Sequence, residues 1–274
     1  MNDQNKTIEY LEKLCKEIRS ITLDIITNSK SSHIGSAYSV VEILVSLYFY
    51  QADINKENLV NTNRDKIILS KGHACAALYA ILYKKGFITK EDLYSFAKNN
   101  GAFFGHPVLN KKIGVDATTG SLGHGLSIGI GMALANKISK NQKRVYVIVS
   151  DGELNEGSTW EAILFTGHKK LDNLTLIIDY NKIQSFGKVE DVINLEPLKE
   201  KLKAFNWSVR EINGHDIKEL LKTYAELPFD KNKPSCIIAH TVKGKGVKFM
   251  ENKIEWHYKS PSEEEYLKAK EELS

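Results

Sequence analysis

Acidic and amide side chains follow two short apolar runs in the second half of the chain. Asp151 comes directly after the run 145–149, and Asn181 stands thirty residues later, after the run 174–179. Carboxylate and amide oxygens are hard ligands suited to Mg²⁺ or Ca²⁺, and Mg²⁺ usually takes a few protein ligands together with phosphate oxygens and water. The pair therefore indicates a metal that could hold a diphosphate. Taken alone, Asp151 would instead favour a helix cap.

Three further acids, Glu153, Glu156 and Glu161, lie close behind Asp151. The first turn of a helix favours negative charge, so these acids could equally form a solvated helix start. We assign Glu153 to that solvated turn.

The same turn is rich in glycine, which is typical of loops that bind nucleotide phosphates. The segment 152–159 reads GELNEGST and lacks the lysine that precedes Ser or Thr in a P-loop. No G-x-G-x-x-G follows the earlier apolar runs either. Both familiar nucleotide-binding loops are therefore excluded.

Apolar periodicity predicts the elements that must position these residues. Helical spacing predicts helices from the N-terminus to about residue 28, at 39–50, at 73–85 and at 90–100, the last capped by Thr89. Short apolar or β-branched runs predict strands at 145–149, 174–179, 207–212 and 236–239. Long connections between the strands indicate a doubly wound α/β fold, with a mainly parallel sheet and helices on both faces. Such sheets bind ligands at the carboxyl ends of their strands, where Asp151, Asn181 and the pair His240 and Thr241 fall.

Composition excludes several classes of protein. The 274 residues are 42% apolar and 26% charged and contain no stretch of eighteen uncharged apolar residues. The start lacks a signal peptide's apolar centre, so we expect a cytoplasmic protein without membrane contact. The net charge of +4 comes from scattered lysines, which does not indicate nucleic acid. Three separated cysteines indicate reduced, buried thiols, and the absence of a linker favours one domain over residues 1–274.

The segment around Asp151 resembles the thiamine diphosphate signature, usually written GDG with an Asn about thirty residues on. Ser150 replaces the first glycine of that pattern. The rest of the chain, from about residue 10 to residue 262, resembles transketolase in the order of its motifs. These motifs are SSHIGSAYS, RDKIILSKGHACAALYAIL, FFGHP, TTGSLGHGLSIGIGMALA, SDGELNEGSTWEA, INGHD, HTVKGKGV and WHYKSP.

The resemblance implies a binding site for thiamine diphosphate and a metal, Mg²⁺ or Ca²⁺. Asp151, Asn181 and the backbone carbonyl of Ile183 would be the metal ligands. Gly152 would offer its backbone to the diphosphate and His73 would donate a hydrogen bond to it. Further cofactor contacts are implied for Gly120, Ser121, Leu122 and His257.

The resemblance also implies substrate-binding and interface residues. His33, His106 and His257 match histidines that line the substrate funnel, although any single histidine could instead have a structural role. Glu156 and Glu161 match acids at the subunit interface that link paired active sites. Two positions depart from the family pattern: His124 stands where glutamine is usual, and Tyr258 where a small residue is common. Lys243 and Lys245 match a loop near the site, but most loop lysines are merely solvated.

The implied activity is transfer of a two-carbon ketol unit from a ketose phosphate to an aldose phosphate. Full-length members of the family carry two further domains, one of which supplies the glutamate that activates the cofactor. We therefore expect the N-terminal subunit of a split transketolase, which self-associates and works with a separate C-terminal subunit in an α2β2 assembly. The alternatives are another thiamine diphosphate enzyme, such as a deoxyxylulose-phosphate synthase or a specialised sugar transketolase, or a non-catalytic binding subunit.

Overall fold

Five parallel strands form the centre of the structure, a computed structural model that describes residues 3–274. The strands are β1 (Lys66–Leu69), β2 (Val145–Ser150), β3 (Leu174–Tyr180), β4 (Ser208–Asn213) and β5 (Ser235–His240). They lie side by side in the order β1, β2, β3, β5, β4, and every neighbouring pair is parallel. The four predicted strands and the parallel sheet are confirmed. Strand β1 was not predicted, because its apolar run, 67–69, is only three residues long.

Helices precede, separate and follow the strands. They are α1 (Asp3–Ser29), α2 (Ile34–Ser39), α3 (Val41–Ser46), α4 (Cys75–Lys84), α5 (Lys90–Tyr94), α6 (Gly125–Ile138), α7 (Gly157–Lys169), α8 (Val189–Val192), α9 (Leu198–Ala204), α10 (Ile217–Ala225) and α11 (Glu263–Leu273), and a π-helical turn (Leu47–Gln51) extends α3. Thr89 caps α5 as predicted, with Asp92 completing a capping box. The helix nevertheless ends at Tyr94, six residues before its predicted end, because the Ser95 hydroxyl donates to the Asp92 carbonyl and accepts from the Ala102 amide.

Two apolar cores cover the two faces of the sheet. Tyr146 and Ile148 pack with α1, α3, α4 and α10 on one face, whereas Val147 and Val149 pack with α6 and α7 on the other. This alternation follows from the two-residue period of a strand. Burial on both faces explains why the strands read as continuous apolar runs rather than as alternating ones.

The parallel register brings the polar strand ends to one edge of the sheet. Ser150 pairs with Asp179, and Tyr180 pairs with His240. Asp151 and Asn181 therefore leave neighbouring strands side by side, as predicted. The edge also receives Ser70, the residue that follows β1.

Two expectations from composition can be compared with the structure. Cys15, Cys75 and Cys236 are buried and free of disulfide bonds, as predicted. Of the helices within residues 3–274, none has the length and apolar content needed to cross a membrane.

Helix α6 approaches β2 closely at Gly129. A Cβ atom added there would lie 2.4 Å from Cγ2 of Val147, whereas a Cβ at Gly131 would meet nothing within 4 Å. Packing against β2 therefore requires glycine at position 129 but not at position 131.

Gly129→Ala should destabilise the chain by about 1–3 kcal/mol, because the extra methyl group overpacks the contact between α6 and β2. Gly131→Ala is the matched control and should be neutral or stabilising by about 0.5–1 kcal/mol, since alanine favours the helix. Urea unfolding measures both free energies. Equal effects of the two substitutions would contradict the close approach.

Candidate active site

A cavity of about 440 Å³ lies at the carboxyl edge of the sheet. All but two of the predicted site residues line it. They are His33, His73, His106, Gly120, Leu122, Asp151, Gly152, Glu156, Asn181, Ile183 and His257. Ser121 is exposed between Gly120 and Leu122, and Glu161 lies on the exposed face of α7. The structure therefore brings most of these residues together, while their roles stay predictions.

Four histidines form a cluster on one side of the cavity. The ring centre of His33 lies 5.3 Å from that of His73, 5.0 Å from that of His257 and 6.4 Å from that of His106. The backbone supports this arrangement, because the His33 amide donates to the His257 carbonyl at 3.0 Å. Histidines that are far apart in sequence thus meet at one wall of the cavity.

Burial keeps three of these histidines neutral. It lowers the pKa of His33 to about 4, helped by His106 and Lys243, and lowers the pKa of His257 to about 3, helped by Lys243. The pKa of His73 falls well below its ordinary value through burial and the Lys71 charge. These pKa values lie below the neutral range that would suit proton transfer best. An anion in the cavity would raise all three pKa values by favouring the protonated rings.

Asp151 and Asn181 face the cavity from neighbouring strand ends. The Asp151 carboxylate accepts the amides of Gly152 and Lys182, both at 2.7 Å, and is only 2% exposed. Burial, and then the Asp179 carboxylate, raise the pKa of Asp151 to about 6. A nearby cation would relieve this unfavourable burial of negative charge.

The donor set fits a hard divalent cation. Asp151 supplies a carboxylate, Asn181 an amide oxygen and Ile183 a carbonyl, and all three residues line the cavity. Within residues 3–274 no group of three or more His, Cys, Asp or Glu side chains is arranged to hold a metal. Of the three predicted ligands only Asp151 is one of these four residue types, so the predicted site could not form such a group. Oxygen-only ligands of this kind are preferred by Mg²⁺ and Ca²⁺ over softer metals.

Two glycines leave room for a ligand or for a close neighbour. A Cβ atom at Gly152 would meet nothing nearer than the Gln184 side chain, at 3.6 Å, so the space in front of Gly152 belongs to the cavity. Gly120 has φ of 135°, and a Cβ there would lie 2.6 Å from the His106 ring. The open space at Gly152 would allow a ligand to approach its backbone. Gly120, by contrast, is required because a side chain there would clash with His106.

A fully buried ion pair under the cavity was missed at the sequence level. The Lys71 ammonium donates to Oδ2 of Asp179 at 2.5 Å and to the Ser36 carbonyl at 3.1 Å. Asp179 also accepts the hydroxyls of Ser39, at 2.6 Å, and of Thr241. The only sequence signal was the position of Lys71 and Asp179 next to motif residues, and spacing alone cannot show that they meet.

Lys243 belongs to the cavity, although most loop lysines are solvated. Its side chain is buried and its ammonium donates to the Ile183 carbonyl at 2.9 Å and to Nδ1 of His257 at 2.8 Å. Burial, and then the Lys71 charge, lower the pKa of Lys243 to about 8, so it stays mainly charged at neutral pH. Lys245 instead lies at the surface, where it pairs with Glu251 at 3.6 Å.

The assignment of Glu153 to a solvated helix start was wrong. Glu153 is fully buried in a 3₁₀ turn (Gly152–Asn155). Its Oε1 accepts the Ser70 hydroxyl and the Gly123 amide, while Oε2 has no hydrogen-bond partner among residues 3–274. The carboxyl thus joins the loop after β1 to the loop before α6. Burial raises the pKa of Glu153 to about 7, although its hydrogen bonds act in the opposite direction.

The two departures from the family pattern lie at the surface. His124 is exposed at the start of α6 and its side chain makes no capping hydrogen bond. Tyr258 is exposed and packs edge to face on the His257 ring, with 4.9 Å between ring centres. An aromatic side chain therefore flanks one of the four clustered histidines.

Comparison with known proteins identifies the family of this chain. Residues 11–274 match the family described as "Transketolase, thiamine diphosphate binding domain". An apulose-4-phosphate transketolase subunit of Actinobacillus succinogenes is 40% identical, over 100% of this chain and 99% of that protein. The 6-deoxy-6-sulfo-D-fructose transketolase subunit SqwG of a Clostridium species is 38% identical, over 96% of each.

A solved structure gives the same result for the fold. Transketolase from Campylobacter jejuni superposes with a TM-score of 0.90 at 32% sequence identity, covering 97% of this chain and 43% of that one. The fold and the cavity thus define a thiamine diphosphate-binding domain of the α/β class. The chain belongs to the transketolase family, which confirms the family and the fold predicted from its motifs.

Replacing Glu153 should change the pH dependence of stability. The folded chain keeps the Glu153 proton up to about pH 7, whereas an ordinary glutamate loses it near pH 4.5, so the carboxyl destabilises the fold increasingly across that range. Without metal, the free energy of unfolding of Glu153→Gln should therefore rise by up to about 3 kcal/mol relative to that of the native chain as the pH increases from 5 to 8. Urea unfolding at both pH values measures this.

Glu190→Gln makes the same change at an exposed glutamate and serves as the control. A stability difference for Glu153→Gln that is the same at pH 5 and pH 8 would contradict the burial of an ionisable carboxyl between the two loops.

Proposed function

We propose that this chain is the N-terminal subunit of a two-subunit transketolase and acts as a single thiamine diphosphate-binding domain. The observation that supports this most is the convergence of a hard-metal donor set, a histidine cluster and Lys243 on one cavity. Relatives that it matches over nearly their whole length are named as subunits of sugar transketolases. Full-length transketolase from C. jejuni is more than twice as long, since this chain spans 43% of it.

Asp151, Asn181 and the Ile183 carbonyl would hold Mg²⁺, with Ca²⁺ as an alternative ion, and the metal would hold the diphosphate. The absence of a side chain at Gly152 would let the diphosphate approach the backbone there, and Lys243 would add a positive charge. When bound, thiamine diphosphate would supply the electron sink for the two-carbon unit that is transferred.

The chain's own residues would bind and orient the sugar. His33, His106 and His257 line the same cavity, so their rings could hydrogen-bond sugar hydroxyls and hold or release protons there. His73, kept neutral by burial, can donate an N–H to a phosphate oxygen without carrying a charge. The cationic Lys243 favours an anionic sugar, such as a sugar phosphate.

The assembly would bury surfaces that are exposed in the isolated chain. Ile128 on α6 and Leu164 and Phe165 on α7 are large exposed apolar side chains on two neighbouring helices, near Glu161. Apolar surface of this kind marks an interaction site, and a second copy of this chain would cover it. The C-terminal subunit would cover the mouth of the cavity, where Phe186 is 84% exposed. The result would be an α2β2 enzyme.

Activity should require both subunits. The family's activating glutamate belongs to a region of transketolase that these 274 residues do not match, so this chain alone should not transfer ketol units. A coupled assay with a ketose phosphate donor and an aldose phosphate acceptor would be run with this chain, with the C-terminal subunit, and with both. We expect turnover only in the mixture. Substantial turnover by this chain alone would refute the two-subunit assignment.

Asp151→Asn should weaken Mg²⁺-dependent binding of thiamine diphosphate by on the order of 30-fold or more, because it removes the anionic ligand of a buried ion. Stability without metal should be unchanged or higher, since the buried carboxylate opposes folding above pH 6. Calorimetric titration in Mg²⁺ and in chelator measures the binding. Asp191→Asn, at an exposed position of α8, is the matched control. Unchanged affinity in Asp151→Asn would rule out the metal assignment.

A further inference from the structure

A buried charged network lies next to the loop 241–246, which follows β5, and outside the cavity itself. Arg19 on α1 makes two hydrogen bonds to Glu42 on α3, both at 2.7 Å, and a third to the Tyr38 carbonyl at 3.0 Å. His215 completes the network, with Nδ1 2.8 Å from Oε2 of Glu42. Although burial favours the neutral acid, the Arg19 charge lowers the pKa of Glu42 to about 2, so Glu42 is ionised.

The hydrogen bonds of His215 fix its tautomer. The Val242 amide lies 2.8 Å from Nε2 of His215, and a backbone N–H can only donate, so Nε2 must be the unprotonated acceptor. Nδ1 therefore carries the proton and donates it to the Glu42 carboxylate. A histidine with this arrangement joins an ionised acid on α3 to a backbone amide in the loop after β5.

That amide immediately precedes Lys243. The Lys243 side chain passes over Gly35, where an added Cβ would lie 3.0 Å from Cγ of Lys243, and its ammonium then reaches Ile183 and His257. The loop has other anchors, such as the Gly244 amide on the Gly35 carbonyl at 3.0 Å. Loss of the His215 contact would therefore loosen the direction of Lys243 without releasing the whole loop.

We propose that His215 is a positioning residue for Lys243: it holds the Val242 amide, and Glu42 and Arg19 fix its ring, so that the Lys243 ammonium points into the cofactor cavity. The importance of Lys243 in this inference rests on the proposed function, whereas the hydrogen bonds that connect His215 to the loop do not. A buried ion pair is weak support for stability by itself, because desolvation offsets most of the attraction. A network that orients one functional side chain gives a reason for these groups to lie here.

A double-mutant cycle separates positioning from general stability. Thiamine diphosphate binding with Mg²⁺ would be measured by calorimetry on the chain mixed with its C-terminal subunit, for His215→Leu, Lys243→Met and the double variant. His215→Leu should weaken binding about five- to tenfold alone, and less than about twofold in the Lys243→Met background. An equal loss in both backgrounds would overturn the proposal.

Two further variants test specificity. His215→Gln offers an amide oxygen to Val242 and should keep affinity within about twofold of the native chain. Leu221→Ala removes a buried apolar side chain from α10 that has no hydrogen-bonding group, and it should leave affinity unchanged while lowering stability. If His215→Gln fails as badly as His215→Leu, or Leu221→Ala weakens binding equally, His215 has only a structural role.

Hydrogen exchange of the segment 241–246 tests the geometry without cofactor. Exchange of this segment should be faster in His215→Leu and close to native in His215→Gln, and unchanged exchange in His215→Leu would overturn the proposal. If the native subunits bind no thiamine diphosphate, the proposed function fails, and the exchange result still decides whether His215 holds the loop.

Discussion

The active-site edge depends on one buried ion pair, between Lys71 and Asp179. Lys71 follows β1 and Asp179 ends β3, and around them gather the Ser36 carbonyl and the hydroxyls of Ser39 and Thr241. Each of these five residues lies within three positions of a residue that lines the cavity. Because an unpaired charge at full burial is very costly, the segments that satisfy the pair are held in register with one another. The site is therefore assembled around this pair.

The cavity contains acidic and basic groups whose charged forms are both disfavoured by burial. Asp151 is an acid whose pKa is raised by burial, which a cation would correct, while His33 and His257 are imidazoles whose pKa values are lowered, which an anion would correct. Lys243 stands between these two groups of residues. A metal diphosphate supplies a cation and an anion together, so it would offset both sets of shifts in pKa.

The sequence predicted what depends on local pattern and on motif resemblance. Apolar runs located four strands, and residues at strand ends, such as Asp151 and Asn181, fell in the cavity because parallel strands align their carboxyl ends. Contacts between distant segments could not be predicted. Glu153 is the clearest case: its spacing resembles a solvated helix start, yet the loops at Ser70 and Gly123 close over it. Lys243 likewise carries no local signal that separates it from the solvated Lys245.

We propose that the carboxyl edge of the sheet binds a metal-held diphosphate. The most direct test is anomalous diffraction from crystals of this chain with its C-terminal subunit, grown with thiamine diphosphate and Mn²⁺ in place of Mg²⁺. We expect one Mn²⁺ peak in each copy of this chain, within about 2.0–2.3 Å of the Asp151 carboxylate, the Asn181 amide oxygen and the Ile183 carbonyl, with the diphosphate facing Gly152. A diphosphate bound elsewhere, or a metal that contacts neither Asp151 nor Asn181, would contradict it.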